Sequence, residues 1–230
     1  MITNYELRMN YTKDIKAVLF DMDGLMIDSE PFHQKAFDTV LKEYGSSLSV
    51  EENNVLYVGI GDIAAAADMV KRKQLPISKE ELIQKKQAVY MQYLKSDIIA
   101  QDGLRELLIE LKRLKFKTAV ASGSTLDEIK AIVTHLKIDE YFDFLCSSSQ
   151  VPNGKPAPDI FLFAASKLGV DPAECIVLED APSGLRAGIA ANMHVVIVPS
   201  RETKGKDFTG ADVVLISLKE VPAYIKQRFS

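Results

Sequence analysis

Helix and strand signals are unevenly distributed along the chain, and this restricts the folds open to it. A short apolar run from Val18 to Phe20 predicts a buried strand near the start. Residues 29–98 then show helical periodicity only. From Gly103 onward, helical stripes of leucine and isoleucine alternate with the apolar runs TAVAS, FDFLCSS, CIVLED and HVVIVPS. This alternation is typical of a parallel sheet covered by helices on both faces.

We therefore predict a doubly wound, Rossmann-like α/β core made of residues 14–28 and 99–230. An all-helical domain at 29–98 interrupts this core, and Ser78 is the predicted N-cap of one of its helices. Residues 1–13 are polar, and we expect them to be loosely attached.

Composition narrows the functional classes. The 230 residues are 47% apolar and 26% charged, which suits a globular α/β domain with an insertion. A net charge of −4, with basic and acidic residues interspersed, argues against a nucleic-acid polymer as partner. The chain has no run of 18 apolar residues and begins with a polar stretch, so no membrane association is expected. We expect a cytoplasmic monomer whose cysteines, Cys146 and Cys175, are reduced core thiols.

Polar side chains follow four of the predicted strands. In open parallel sheets, ligands bind beyond the carboxyl ends of the strands, so these residues are candidates for one common site. In chain order they are Asp21 and Asp23, then Ser122, Gly123 and Ser124, then Lys155, and finally Glu179 with Asp180. The set combines carboxylates, small hydroxyl-bearing residues and one lysine.

Each of these residues also has a simpler structural explanation. Asp23, Ser122 and Asp180 could each cap a following helix, and Lys155 could be a solvated loop lysine. For Gly24 we expect no more than the role of a turn glycine. Convergence of the set at one edge of the sheet favours the functional interpretation.

The first motif could alternatively be a calcium-binding loop. The residues Asp21, Asp23, Gly24 and Glu30 match four positions of the EF-hand pattern. The first ligand position would then be Leu19, which cannot bind Ca²⁺, and a strand precedes the motif where a helix is needed. The calcium interpretation is therefore rejected.

Four motifs occur in order at the predicted strand ends: DMDG, ASGS, KPAPDIF and LEDAPSG. In this order they resemble the haloacid dehalogenase-like superfamily of phosphotransferases, and the resemblance covers nearly the whole chain from Ile15. The helical insertion looks like the cap of the first cap class, which β-phosphoglucomutase shares with many small phosphatases. The stretches QLPISKEEL and DAPSG are similar to pseudouridine-5'-phosphatase-type members.

The resemblance implies a reaction and a role for each residue of the set. Asp21 would form an aspartyl-phosphate, and Asp23 would be the general acid and then the base. A dianionic phosphoryl group repels a carboxylate nucleophile, so positive charge must be placed beforehand. Mg²⁺ would be held by Asp21, the carbonyl of Asp23, Asp180 and, directly or through water, Glu179, while Ser122, Gly123 and Lys155 would bind the phosphate.

The helical insertion departs from the mutase pattern. In β-phosphoglucomutases a cap loop resembles Gly-Val-Ser-Arg, and its arginine grips the distal phosphate. Here the loop reads Gly59, Ile60, Gly61, Asp62, and an aspartate repels a second phosphate. We therefore favour a Mg²⁺-dependent phosphatase of small phosphorylated metabolites over a phosphosugar mutase, which would need another cation such as Lys85 or Lys86. Candidate specificity residues of the insertion are Glu30, His33, Gly59 and Asp62.

Two alternative functions belong to other classes of protein. Gly59, Gly61 and Ala64 have the spacing of a dinucleotide-binding turn, which would indicate an oxidoreductase. The next segment reads as a helix and offers no second strand, so this fingerprint lacks its βαβ context. A non-catalytic phosphate sensor would need a broken catalytic set, and this set is intact.

Overall fold

The computed structural model describes residues 15–57 and 62–229. The chain divides into two compact units: Ser29–Ile98 form one, and the flanking segments up to Asp28 and from Ile99 form the other. We call them the helical unit and the core unit. The expectations for residues 1–13 and for Gly59 lie outside the described residues and stay predictions.

The core unit contains, among its described residues, one sheet of six parallel strands in the order β3-β2-β1-β4-β5-β6. The strands are β1 (Ala17–Phe20), β2 (Lys117–Ser122), β3 (Phe144–Ser147), β4 (Cys175–Glu179), β5 (His194–Ile197) and β6 (Val213–Val214). In the helical unit the helices are α1 (Glu30–Lys42), α2 (Val50–Leu56), α3 (Asp62–Arg72) and α4 (Lys79–Ser96). The core unit adds α5 (Leu104–Arg113), α6 (Leu126–His135), α7 (Asp159–Leu168), α8 (Pro182–Ala190) and α9 (Val221–Phe229). Short 3₁₀ turns lie at Asp139–Tyr141, Ser148–Gln150, Pro172–Glu174 and Leu218–Glu220.

The central strand β1 positions the site. Its four residues are apolar and fully buried, as expected for a strand with neighbours on both sides. Phe20 pairs with Val120 of β2 on one side and with Leu178 of β4 on the other. The strand order changes direction between β1 and β4, and a parallel sheet opens a crevice at such a point. Asp21 follows β1, and Glu179 ends β4.

The predicted doubly wound core with a helical insertion is confirmed. The two-residue strand β6 was not predicted, because two valines are too short to give a periodic signal. Cys146 and Cys175 are both free and buried, as expected. Burial raises the pKa of the Cys146 thiol to about 11 and that of Cys175 to about 12.

The helical unit has its own apolar core. Phe37, Val40 and Leu41 of α1 pack in one cluster with Met69 of α3 and Leu82 of α4. Ser78 is the N-cap of α4, as predicted, and its hydroxyl accepts a hydrogen bond from the backbone N–H of Glu81 at 3.1 Å. Across the part of the chain described, every helix is too short or too polar to cross a bilayer.

Candidate active site

Lys155 lies at the centre of the candidate site. Its ammonium donates hydrogen bonds to Asp21 Oδ1 and, at 2.7 Å, to Glu179 Oε1. The same nitrogen lies 4.9 Å from the centre of the Phe161 ring, a favourable position for a cation. Since only 12% of its side chain is exposed, the explanation of Lys155 as a solvated loop lysine is wrong.

Three carboxylates meet beside this lysine. Asp21, Glu179 and Asp180 each place an oxygen within 4.8 Å of the others. Glu179 is also anchored by the backbone, because its Oε2 accepts the amide N–H groups of Asp180 and Ala181, both at 2.9 Å. The sequence placed these residues at two strand ends, and the structure brings them together.

The electrostatics of the cluster are unbalanced towards negative charge. Burial raises the pKa of Asp21 well above its usual range, and the opposing effect of Lys155 offsets this only in part. Burial likewise raises the pKa of Asp180 to about 6. Burial alone would lower the pKa of Lys155, but the charges of Asp21 and Glu179 outweigh it and raise that pKa. A single ammonium is therefore not enough to neutralise the site.

This donor set fits a hard divalent cation. Carboxylate oxygens from two adjacent strand ends are the ligands that Mg²⁺ accepts, together with water and phosphate. A cation would also counter the repulsion among these carboxylates, which adds to the effect of burial on the pKa of Asp21 and Asp180.

Two glycines make the close packing of these carboxylates possible. A Cβ atom on Gly24, whose φ is +87°, would lie 2.3 Å from Asp180 Oδ2. A Cβ atom on Gly184 would lie 1.7 Å from Glu179 Oε1. The expectation that Gly24 is only a turn glycine was therefore wrong, because its missing side chain also makes room for Asp180.

Asp23 points to the serines that follow β2. Its Oδ2 accepts a hydrogen bond from Ser124 Oγ at 2.7 Å and lies 3.4 Å from Ser122 Oγ. Ser122 is fully buried, whereas Gly123 is exposed. The sequence places Ser124 at this strand end but indicates no role for it, since only the fold reveals which hydroxyl reaches Asp23.

Asp23, Ser122 and Asp180 do not cap the helices that follow them, so this simpler explanation is wrong for all three. The N-cap of α6 is Thr125, which forms a reciprocal capping box with Glu128. Ala181 precedes α8 and Ser29 precedes α1, and neither helix start has a side-chain cap. None of Ser122, Asp180 and Asp23 therefore caps one of these helices.

The helical unit holds a second polar cluster around Lys86, which is fully buried. The Lys86 ammonium donates to Asp62 Oδ2 at 2.6 Å and lies 2.6 Å from His33 Nδ1. The same imidazole nitrogen lies 3.8 Å from Asp62 Oδ1, so the three side chains form one cluster. The ring of His33 stacks on Tyr90 at 4.1 Å.

A cavity of about 260 Å³ adjoins this cluster within the helical unit. Polar atoms in its wall include the carboxylate of Glu30, which accepts from Asn53 Nδ2 at 3.1 Å. Its lining residues are Glu30, His33, Phe37, Asn53, Tyr57, Asp62 and Ala65. Three of the four specificity candidates, Glu30, His33 and Asp62, thus share one cavity.

The dinucleotide-binding alternative fails on structure. Val55 and Leu56, the apolar residues before the glycines, belong to helix α2 and not to a strand. The described segment after the glycines forms α3 and then α4, so no second strand follows.

Comparison with known proteins decides the family. The model of the haloacid dehalogenase-like hydrolases matches residues 15–192. The chain belongs to this family. The matched range includes Lys155 and the three carboxylates beside it, which together we call the core cluster.

Two of the similar proteins carry phosphatase names, and one solved structure is named as a mutase. Hexitol phosphatase B of Escherichia coli K12 is 32% identical over 217 residues, covering 94% of this chain and 98% of that protein. A probable pseudouridine-5'-phosphatase of Drosophila melanogaster is 35% identical over 215 residues, covering 90% and 92%. The crystal structure of a β-phosphoglucomutase from Clostridium difficile superposes with a TM-score of 0.72 at 28% identity, covering 94% of this chain and 97% of that one.

Proposed function

We propose that this protein is a Mg²⁺-dependent phosphatase that hydrolyses small phosphomonoesters, such as sugar phosphates or nucleoside monophosphates, through an aspartyl-phosphate. The observation that carries the proposal is the contact of Lys155 with both Asp21 and Glu179 in a cluster that still has excess negative charge. The phosphatase names of the two curated relatives support it.

In the first half-reaction Asp21 attacks phosphorus while Lys155 and the loop at Ser122 and Gly123 hold the phosphate oxygens. The P–O bond to the substrate breaks, and Asp23 gives its proton to the departing alkoxide. Mg²⁺, when bound, supplies positive charge that offsets the repulsion between the carboxylate and the phosphate.

In the second half-reaction Asp23 accepts a proton from water, which attacks the phosphorus of the aspartyl-phosphate and frees Asp21. For the metal we assign Asp21, the carbonyl of Asp23 and Asp180. Both oxygens of Glu179 already accept hydrogen bonds, which favours an orienting role or a contact through water for this residue.

The helical unit is the proposed cap, and its charges favour hydrolysis over the mutase reaction. Lys86 is committed to Asp62 and His33. Lys85, the other cation considered, donates to Glu43 Oε2 at 2.8 Å. Neither lysine therefore offers an uncompensated charge to a second phosphate, and Asp62 repels one.

A turnover screen tests the proposed activity. The protein is offered a panel of phosphomonoesters with Mg²⁺ and with chelator, and released phosphate is measured. We expect Mg²⁺-dependent hydrolysis of at least one sugar phosphate or nucleoside monophosphate. Absence of turnover across the panel, or full activity in chelator, contradicts the proposal.

A separate assay distinguishes phosphatase from mutase. The protein receives β-glucose 1-phosphate with a catalytic amount of the 1,6-bisphosphate, and both glucose 6-phosphate and free phosphate are followed. We expect free phosphate without isomerisation, from this ester or another of the panel. Rapid formation of glucose 6-phosphate with little free phosphate would show that the mutase assignment is correct.

A further inference from the structure

The two carboxylate oxygens of Asp23 have different surroundings. Oδ2 accepts from Ser124 Oγ at 2.7 Å, which is a short hydrogen bond to a carboxylate. Oδ1 is buried and, within the described residues, is the one such side-chain atom without a hydrogen-bond partner. A buried carboxylate oxygen left in this way costs free energy, so its orientation must be imposed by other contacts.

Ser124 is well placed to impose it, because its own backbone is fixed on both sides. Its N–H donates to Ser122 Oγ at 3.0 Å, and its carbonyl accepts from Ser147 Oγ at 2.6 Å. Ser147 ends β3 and is fully buried, so it ties the loop to the neighbouring strand. Directly after Ser124, the capping box of Thr125 starts α6. The Ser124 hydroxyl is therefore attached to a segment whose backbone is held by hydrogen bonds on both sides.

The neighbouring hydroxyl of Ser122 is a poorer candidate for holding Asp23. At 3.4 Å its contact with Asp23 Oδ2 is long, and its oxygen already accepts the N–H of Ser124. This leaves Ser122 available to donate to a phosphate oxygen. The two serines thus divide two tasks, one towards the phosphate and one towards the acid.

We propose that Ser124 is a positioning residue for Asp23. Its hydroxyl fixes Oδ2 and so directs the unpartnered Oδ1 towards the leaving-group oxygen, and later towards the attacking water. This inference rests on the proposed phosphatase function. It assigns to Ser124 a contribution that depends on how much the leaving group needs a proton.

The test compares kcat/KM for two esters in Ser124→Ala. This quantity reports only the steps up to loss of the alcohol, so the shared hydrolysis of the aspartyl-phosphate does not affect it. For an alkyl ester identified in the panel, we expect a loss of about ten- to a hundredfold, because the poor leaving group needs the proton from Asp23. For p-nitrophenyl phosphate, whose leaving group needs no proton, we expect less than about a threefold loss.

Three further variants separate positioning from a general loosening of the loop. Ser124→Thr keeps the hydroxyl and should restore most of the alkyl-ester activity. Ser148→Ala is the matched control, since the Ser148 hydroxyl donates to the carbonyl of Gly123 at 2.8 Å in the same loop. It should affect both esters equally. In an Asp23→Asn background, Ser124→Ala should cause no additional loss, because the group it positions is already disabled.

Failure of the Ser124 proposal can be distinguished from failure of the phosphatase function. Equal losses on both esters in Ser124→Ala, with weaker inhibition by inorganic phosphate, would make Ser124 a phosphate ligand and overturn the proposal. Failure of threonine to restore activity would also overturn it. A wild-type protein that hydrolyses neither ester would instead remove the phosphatase function on which the proposal rests.

Discussion

Each unit of the molecule contains a largely buried lysine over an aromatic ring, and the two lysines differ in what surrounds them. Lys155 in the core unit contacts two carboxylates, with a third in the same cluster. Lys86 in the helical unit contacts one carboxylate and one imidazole, and its nitrogen lies 4.5 Å from the centre of the Tyr90 ring. The core cluster therefore keeps a negative excess, whereas the Lys86–Asp62 pair is balanced.

The difference shows what a buried ion pair can be used for. A balanced pair is satisfied without further ligands, and its effect is to hold side chains in place and to define the charge of the cavity. An unbalanced cluster stays unfavourable until a cation or a proton joins it. We infer that the core cluster is arranged for chemistry and the helical cluster for selection.

The largest effect that tests this comparison comes from the carboxylates paired with each lysine. Asp21→Asn, nearly isosteric, removes the nucleophile and should lower kcat/KM for an aryl phosphate by more than about a thousandfold. The matched change Asp62→Asn should lower it by less than about tenfold, because it alters a charge in the helical unit only. Circular dichroism checks that both variants are folded. Similar losses in the two variants would contradict the division of roles.

A smaller difference is expected in how variants of the two clusters change the Mg²⁺ requirement. Chelator should abolish activity, and Asp180→Ala should raise the Mg²⁺ concentration needed for half-maximal activity by about ten- to a hundredfold. Mg²⁺ should also raise the melting temperature of the wild type by mass action. Asp62→Asn should keep this thermal shift and Asp180→Ala should lose most of it, as measured by calorimetry. An unchanged shift in Asp180→Ala would remove that residue from the metal site.

Gly184, which packs against the Glu179 carboxylate, gives a further test of the core cluster. Gly184→Ala places a methyl group where the Glu179 carboxylate lies, so this carboxylate, which accepts from Lys155, must move. We expect activity to fall by about tenfold and the free energy of unfolding by about 1–3 kcal/mol. The control is Gly154→Ala, beside Lys155, where an added Cβ would meet no atom within 4 Å. Equal effects of the two changes would show that the position of Glu179 is unimportant.

The smallest expected effect concerns a purely structural aspartate of the helical unit. Asp38 accepts the N–H of Leu48 at 2.9 Å and pairs with Lys42 at 2.6 Å. Burial opposes ionisation, but these two contacts outweigh it and lower the pKa of Asp38. Because the folded pKa is below the unfolded value, the stabilisation is present above about pH 4 and is lost as the pH falls through the folded pKa.

Asp38→Ala should therefore lower the free energy of unfolding by about 1 kcal/mol near neutral pH. The difference from wild type should shrink at about pH 3, as urea unfolding at the two pH values would show. A difference independent of pH would mean that lost packing, and not the charge, is responsible.

Much of the core could be predicted because its signals are local. Alternating apolar runs and helical stripes indicated the parallel sheet, and the carboxyl-edge rule then selected Asp21, Lys155, Glu179 and Asp180. The N-cap at Ser78 could likewise be predicted, because this serine directly precedes a helical segment. These features depend on a few neighbouring residues or on one general rule.

What the sequence did not reveal depends on distant pairs. The hydrogen bond between Ser124 and Asp23 joins residues 101 positions apart, and Lys86 meets His33 across 53 positions. The close approach of Gly24 to Asp180 is similarly invisible, since a glycine in a turn has the same local pattern whether or not a side chain packs against it. Such contacts follow from strand order and helix packing, which fix the partners only once the chain has folded.

The low reactivity expected of the two native cysteines has a practical consequence for site-specific labelling of this protein. With thiol pKa values of about 11 and 12, fewer than about one in several thousand of either thiol is ionised near neutral pH. Burial further shields both sulfur atoms from reagents. A cysteine introduced at Val55, a residue that is 75% exposed, would therefore react far faster than either native thiol. The wild-type sequence is already a suitable background for attaching a fluorophore to the helical unit.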